Sequence, residues 1–191
     1  MSDSTPKLSV YNPSFPRNLE RLFQDLRTPE ELFPKLLPVL GDLIKCDRCY
    51  LYVRHPDSRQ GRVVQCWRQT PDRPDLTDDQ WQVEQPATLE EQDPTFAAAL
   101  RDEHALFVED ITAADADWIN PALERSRGAQ AFIQGHILKD HQLWGIIRAE
   151  VFDKPRPWMQ FDRSIMIHTT QRLVPDVVNY VIDHAPSSES L

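Results

Sequence analysis

The chain is poor in residues that many active sites require. Its 191 residues include five glycines and three cysteines. The glycines (Gly41, Gly61, Gly128, Gly135, Gly145) are scattered, which excludes a glycine-rich loop that cradles phosphate. No Gly-x-Ser-x-Gly occurs and the serines cluster in the tails, so a serine nucleophile elbow is excluded as well. No apolar run approaches the roughly 18 to 20 residues that a membrane-spanning helix needs, so membrane insertion is not expected. The start, Met1 to Lys7, lacks the basic-then-apolar pattern of a secretory leader, and an odd set of thiols fits a reducing compartment. A cytoplasmic location is expected on those grounds. Cations are also in short supply. Net charge is −9 and lysine and arginine form no stripe, which argues against nucleic acid as a partner. Arg48, Arg54, Arg59, Arg62, Arg68 and Arg73 alternate with Asp47, Asp57, Asp72 and Asp75 and read as a mixed, solvated surface.

What is present reads as one domain over residues 17–184, with flexible arms at 1–16 and 185–191. Leu19, Leu22, Phe23 and Leu26 recur at helical spacing. Thr28-Pro29-Glu30-Glu31 is a helix start of the capping-box kind, and Leu32, Leu36, Leu37, Leu40, Leu43 and Ile44 continue as one stripe. Pro38 is expected to kink that helix. Cys49–Val53 and Val63–Trp67 are aromatic and β-branched and predict a hairpin. A long acidic loop follows from Thr70 to Asp93, with a short strand near Trp81, and then a short helix opened by Asp93-Pro94. Ala105–Val108 reads as a strand and Asp115–Arg127 as a helical segment closed by Gly128. Ala131–Leu138 and Leu143–Phe152 form a second hairpin around Asp140-His141, and Phe161–Ile182 is a final helix with a bend at Pro175. The expected class is α+β: helices at both ends of the chain with two antiparallel hairpins between them.

Several side chains stand out as candidates. Asp110 follows the third strand, where it borders a pocket or caps the turn at Thr112. Trp118 and Asn120 suit a planar ligand at a pocket mouth, and Trp118 equally suits a staple ahead of the Pro121 helix. In the second hairpin, Phe132, Gln134, His136, Arg148 and Glu150 set aromatic and polar groups among aliphatics. A one-residue register change would move each to the opposite face, so both faces remain open at this point. Cys46-x-x-Cys49 supplies half a zinc site at most, and it lies where a helix ends and a strand begins; it reads as core packing, and no metal site is expected.

The segment Leu143-Trp144-Gly145-Ile146-Ile147-Arg148-Ala149-Glu150, followed by Arg156-Pro157-Trp158 and a long helix, resembles the last strand and final helix of a GAF domain, in the cyanobacterial phytochrome and cyanobacteriochrome branch. The resemblance covers roughly residues 18–184 and implies a cyanobacterial signalling domain of α+β class, with a central antiparallel sheet, the N- and C-terminal helices on one face and a ligand pocket on the other. Members of that branch hold a bilin through a Cys-His pair at the start of the helix before the hairpin. That position falls at Ile119-Asn120 here, and the pigment-contacting histidine of the Leu-Trp-Gly strand falls at Glu150. A covalent pigment is therefore not expected, which leaves non-covalent bilin binding as an alternative and no cofactor as the primary expectation. The resemblance also extends to free methionine-(R)-sulfoxide reductase, but the matching region, His104 to Asn120, has no cysteine. The Asn-Lys-x-Asp-Glu-like signature of cyclic-nucleotide GAF domains is absent. Together these readings imply a non-enzymatic regulatory or assembly module that acts through protein partners and is gated by a small ligand. Homodimerisation through the terminal helices is a further expectation.

Overall fold

The computed structural model describes residues 15–84, 92–114 and 117–186. Most of the two expected arms therefore lies outside the described residues, as do 85–91 of the acidic loop and 115–116 of the expected helical segment. Helix α1 spans Arg17–Asp25 and α2 Pro29–Ile44. Strands β1 (Arg48–His55), β2 (Gln60–Arg68) and β3 (Gln82–Val83) follow, then α3 (Pro94–Leu100), β4 (Ala105–Val108) and α4 (Pro121–Arg127). Strands β5 (Ala131–Lys139) and β6 (Gln142–Val151) form the second hairpin, and α5 (Gln160–His184) ends the fold. The strands make one antiparallel sheet in the order β3-β2-β1-β6-β5-β4. None of the described helices is long and apolar enough to cross a membrane.

Local chemistry accounts for most boundaries. Thr28 accepts the Glu31 amide and Pro29 fills the first position of α2, while the Glu31 carboxylate accepts the Arg27 amide. The helix runs on through Pro34 and Pro38 as a single span. The expected helix at 115–127 is shorter in the structure. Asn120 caps it by accepting the Ala122 and Leu123 amides, so among the described residues of that segment the helix is Pro121–Arg127, and Gly128 closes it at φ +89°. Trp118 is 49 % exposed and makes no staple, whereas its neighbour Ile119 is buried with Val108, Ile111 and Phe132.

The Leu-Trp-Gly motif has a structural reason. The turn after β5 consists of Asp140 and His141, both at positive φ (52° and 60°), between paired Lys139 and Gln142. Such a two-residue turn matches the twist of the strands. Leu138 then pairs with Leu143 but Ile137 with Gly145, leaving Trp144 as an extra bulge residue. Gly145 follows because a Cβ there would come within 2.8 Å of the Tyr52 carbonyl oxygen. In the elbow, Trp158 donates its indole N–H to the Val108 carbonyl at 2.9 Å, and Arg156 stacks over the Trp158 ring and donates to the Lys45 carbonyl.

This register resolves the alternation. Cys49, Leu51 and Val53 of β1, Ala131, Ile133 and Ile137 of β5, and Ile147, Ala149 and Val151 of β6 share one core with the buried faces of α1, α2 and α5. Of the terminal-helix residues on which a dimer was expected, Leu19, Ile165, Leu173, Val177 and Val181 are buried in that core, Leu22, Phe23 and Leu26 pack against it half-buried, Val178 is buried as well, and Ile182 is exposed. Phe15, assigned to the flexible arm by sequence, is buried too, tilted on Phe23 and edge-on to His168. Arg48, Tyr50 and Tyr52, with Phe132, Gln134, His136, Ile146, Arg148 and Glu150, occupy the opposite face.

Helix α5 approaches β5 closely at Gly135, where a Cβ would stand 2.6 Å from the Thr170 methyl and 2.8 Å from Met166. Gly135→Ala is expected to lower unfolding free energy by about 1–3 kcal/mol in urea titration, since either the helix or the strand has to shift. An unchanged midpoint would show that this contact is not tight.

Candidate functional site

The sheet face away from α1, α2 and α5 carries a cavity of about 360 Å³. Tyr50 and Tyr52 of β1, Val63 of β2, Gln134 of β5, and Ile146 and Arg148 of β6 form its floor. Leu76, Asp78, Asp93, Thr95, Phe96 and Arg127 form its walls. A second hollow of about 260 Å³ adjoins it, sharing Tyr50, Leu76 and Arg127 and adding Arg48, Pro74, Ser126 and Glu150. The larger volume is at the low end of the range for small-molecule sites, roughly 300–1,000 Å³.

Beneath the cavity runs a line of charges of alternating sign. Arg127 bonds Asp93 at 2.6 Å and Glu124 at 3.2 Å. Arg148 bonds Glu124, bonds Glu150 at 2.9 Å, and donates to the Gln134 carbonyl oxygen at 3.1 Å. Arg48 reaches the other oxygen of Glu150 at 2.7 Å and donates to the Pro74 and Arg127 carbonyls. Three arginines thus meet three carboxylates. Arg48, Glu124, Arg148 and Glu150 are all at most 1 % exposed. The Arg148 guanidinium also lies 3.7 Å from the centroid of the Phe132 ring. Burial opposes the charge on Arg148, but Glu124, Tyr50 and Glu150 outweigh it and hold its pKa above the ordinary arginine value. Arg127 follows the same pattern: burial and Arg148 oppose its charge, and Asp93 and Glu124 prevail. Burial would raise Asp93, but Arg127, the Thr95 hydroxyl and the Phe96 amide pull it below the usual carboxylate range.

Gln134 passes this polarity outward. Its oxygen accepts from Arg148, so its amide nitrogen faces the Thr95 carbonyl at 2.9 Å and His136 Nε2 at 3.0 Å. His136 Nε2 must then accept, which puts the imidazole proton on Nδ1, donated to the Glu103 carbonyl. Burial lowers the His136 pKa from 6.5, against the Glu103 contributions that raise it and with a smaller lowering by His104. On the far side, Tyr52 donates its hydroxyl to Glu84 at 2.6 Å and Arg54 grips the same carboxylate at 3.0 Å. Burial pushes both phenols, Tyr50 and Tyr52, above the ordinary tyrosine value.

The candidate residues divide accordingly. Gln134 and Arg148 line the main cavity, Glu150 the adjoining hollow, and His136 a small separate recess against α5. Phe132 and Ile119 are buried with Val108 and Ile111 in a small cluster beside them. Asn120 caps α4, Asp110 accepts the Thr112 amide and hydroxyl at 2.8 and 2.7 Å, and neither they nor Trp118 are among the cavity's lining residues. Sequence reasoning missed Tyr50, Asp93, Glu124 and Arg127. It also placed Arg48 and Arg54 on a solvated surface, whereas both are buried in ion pairs. Cys46 and Cys49 are buried, Cys49 in the helix-side core, with its pKa pushed well up by contact with the Cys46 thiol and by burial. Cys66 pairs across from Tyr50 and so shares the cavity's face. It is not among the lining residues, and burial raises its pKa despite the Leu76 amide.

Two outcomes follow. Arg148→Met strands Glu124 and Glu150 without their shared cation and is expected to cost about 3–5 kcal/mol in urea unfolding. For His136, the folded pKa is depressed, so the unfolded chain binds more protons below pH 6.5. Its contribution is complete above 6.5 and lost as the pH falls below that value. Ring ¹⁵N shifts are expected to show the Nδ1–H tautomer and titration below 6.5; an Nε2–H tautomer would contradict the geometry.

The GAF domain profile matches residues 28–173. Among solved structures, the GAF domain of an Acinetobacter phosphoenolpyruvate-protein phosphotransferase superposes with TM-score 0.64 at 12 % identity, over 88 % of this chain and 95 % of that one. A phycocyanobilin-bound GAF domain from a cyanobacterial phytochrome gives 0.65 at 16 % identity, over 88 % and 96 %. The chromophore-binding domain of an unusual R. palustris bacteriophytochrome gives 0.66 at 16 % identity, with 87 % of this chain matched to 59 % of that one. Identities this low carry the fold alone. No curated protein sequence matches. With the profile spanning most of its length, and with its antiparallel sheet and terminal helices superposing on these domains, the chain belongs to the GAF domain family.

Proposed function

We propose that this GAF domain is a non-enzymatic regulatory or assembly module, working through protein contacts and gated by a small ligand in the cavity over Tyr50, Gln134 and Arg148. The observation that carries this reading is the state of the cavity's arginines. Arg127 and Arg148 are held by carboxylates, which supports a site shaped for recognition over one that shuttles protons. The thiols support it as well. Cys49 belongs to the helix-side core and Cys66 has a raised pKa, the reverse of what an attacking thiolate needs. The ion-pair line joins the cavity to α3, α4 and the sheet, so a ligand that repositions Arg127 would be felt at surfaces open to a partner. The free thiols fit a cytoplasmic setting.

A second reading is a sensor that holds a bilin or another extended planar ligand without a covalent bond. It is favoured by the superposition on bilin-bound GAF domains and by the hollow that adjoins the main cavity. Ile119, at the position the resemblance gives to the attaching cysteine, is buried and carries no thiol.

Native mass spectrometry of the protein isolated from its own cells tests both readings. A small bound mass is expected, and it should vanish in Val63→Trp, which fills the cavity from β2, while the melting temperature stays within a few degrees. A visible absorption band after co-production with phycocyanobilin would move the assignment to the second reading. Bare protein in every preparation would count against both.

A further inference from the structure

The cavity's hydrogen-bonding inventory says what kind of ligand suits it, and the inference rests on the cavity being a small-ligand site. Arg148 has every nitrogen engaged: Nε with Glu150, one terminal nitrogen with Gln134 and the other with Glu124. Arg127 gives its two terminal nitrogens to Glu124 and Asp93. Gln134 is used at both ends, and Tyr52 and Arg54 are committed to Glu84. Arg62, on β2 beside Val63, pairs across from Val53, donates to the Asp79 carbonyl at 3.4 Å and is not among the lining residues. The cations around the cavity are therefore neutralised where they stand. An incoming phosphate or carboxylate would have to displace a carboxylate that is already buried and bonded, at a cost that a small anion does not recover.

Two polar groups on the lining remain uncommitted. The Tyr50 hydroxyl has no hydrogen-bond partner among the described residues. Among the described residues Asp78 uses only Oδ2, which accepts the Val63 amide at 2.9 Å, leaving Oδ1 as a spare anionic acceptor. Around them the wall is aromatic, with Tyr52 and Phe96 edge-to-face at 6.3 Å between centroids. Aromatic faces attract cations, a carboxylate attracts donors, and the chain carries a net charge of −9.

We propose that the cavity takes a flat, nitrogen-bearing ligand that is cationic or neutral, lies against Tyr50 and Phe96, and donates to Asp78 Oδ1, and that it rejects anions of the same shape. The preference comes from charge balance. The three arginines cancel Asp93, Glu124 and Glu150, and Asp78 is the carboxylate left over.

The test uses three probes of nearly the same outline: benzamidine (cationic), benzamide (neutral) and benzoate (anionic). Binding is followed on the intact protein by ¹H–¹⁵N NMR at the Gln134 side chain and the Thr95 and Phe96 amides. Benzamidine should bind most tightly and benzoate least. Asp78→Asn, which keeps an acceptor for the Val63 amide, should weaken benzamidine about tenfold and leave benzamide nearly unchanged. Tyr50→Phe should weaken both, and serves as the second variant if Asp78→Asn does not fold. Benzoate binding as tightly as benzamidine, or benzamidine indifferent to Asp78→Asn, would overturn the charge preference and leave the cavity a ligand site. If none of the three shifts the cavity resonances, the reading of the cavity as a small-ligand site fails together with this inference.

Discussion

The line of charges Asp93–Arg127–Glu124–Arg148–Glu150–Arg48 is the interaction on which one whole face of this molecule depends. It crosses the N-terminus of α3, helix α4, and strands β6 and β1, with the Pro74 carbonyl tied in at its end. Removing such groups from water costs several kcal/mol per ion, and mutual attraction offsets this only when geometry and extra hydrogen bonds are good. Here they are. Arg148 engages each of its three nitrogens, Phe132 stacks under its guanidinium, and the carboxyl oxygens of Glu150 are shared between two arginines. Such a line is intolerant of partial change. It holds α4 and the segment around Pro74 in place over a sheet face that, among the described residues, carries no large helix.

The two faces of the sheet are thus stabilised by different physics. On one, aliphatic side chains from three helices bury a continuous apolar core, and glycine is used at Gly135 where α5 lies close to the strand. On the other, small apolar clusters around Phe132 and Ile146 flank a polar seam and a cavity. Short elements and loops cover that side, and Asn120 and Asp93 cap the helices that reach it.

The helices, both hairpins, the short strand near Trp81 and the α+β class were legible in the chain, since each rests on local periodicity and on caps such as Thr28 and Gly128. The site was legible only in part. Gln134, Arg148 and Glu150 stood out as polar residues in an apolar strand. Their partners did not: Arg48 lies 102 positions from Glu150 and sits beside Asp47 in a run that alternates acids and bases as a solvated surface would. Glu124 and Arg127 look like ordinary charges of a short exposed helix until that helix is laid on Arg148. Asp110 was read with a turn role beside a pocket role, and its observed hydrogen bonds are those of the turn; Asn120 was read only as a pocket-mouth residue, and it caps α4 instead.

From the residues alone came what nearest neighbours dictate: where the backbone coils or extends, where it turns, and that Leu143–Glu150 with Arg156–Trp158 resembles one family. Folding decided which face each strand residue took. That choice hung on the positive φ of Asp140 and His141 and on a single extra residue at Trp144, and a slip there would have sent Arg148 into the aliphatic core. It also decided that charges distant in the chain would meet in balanced pairs, because electrostatic partners are chosen by distance in space, which sequence order does not record.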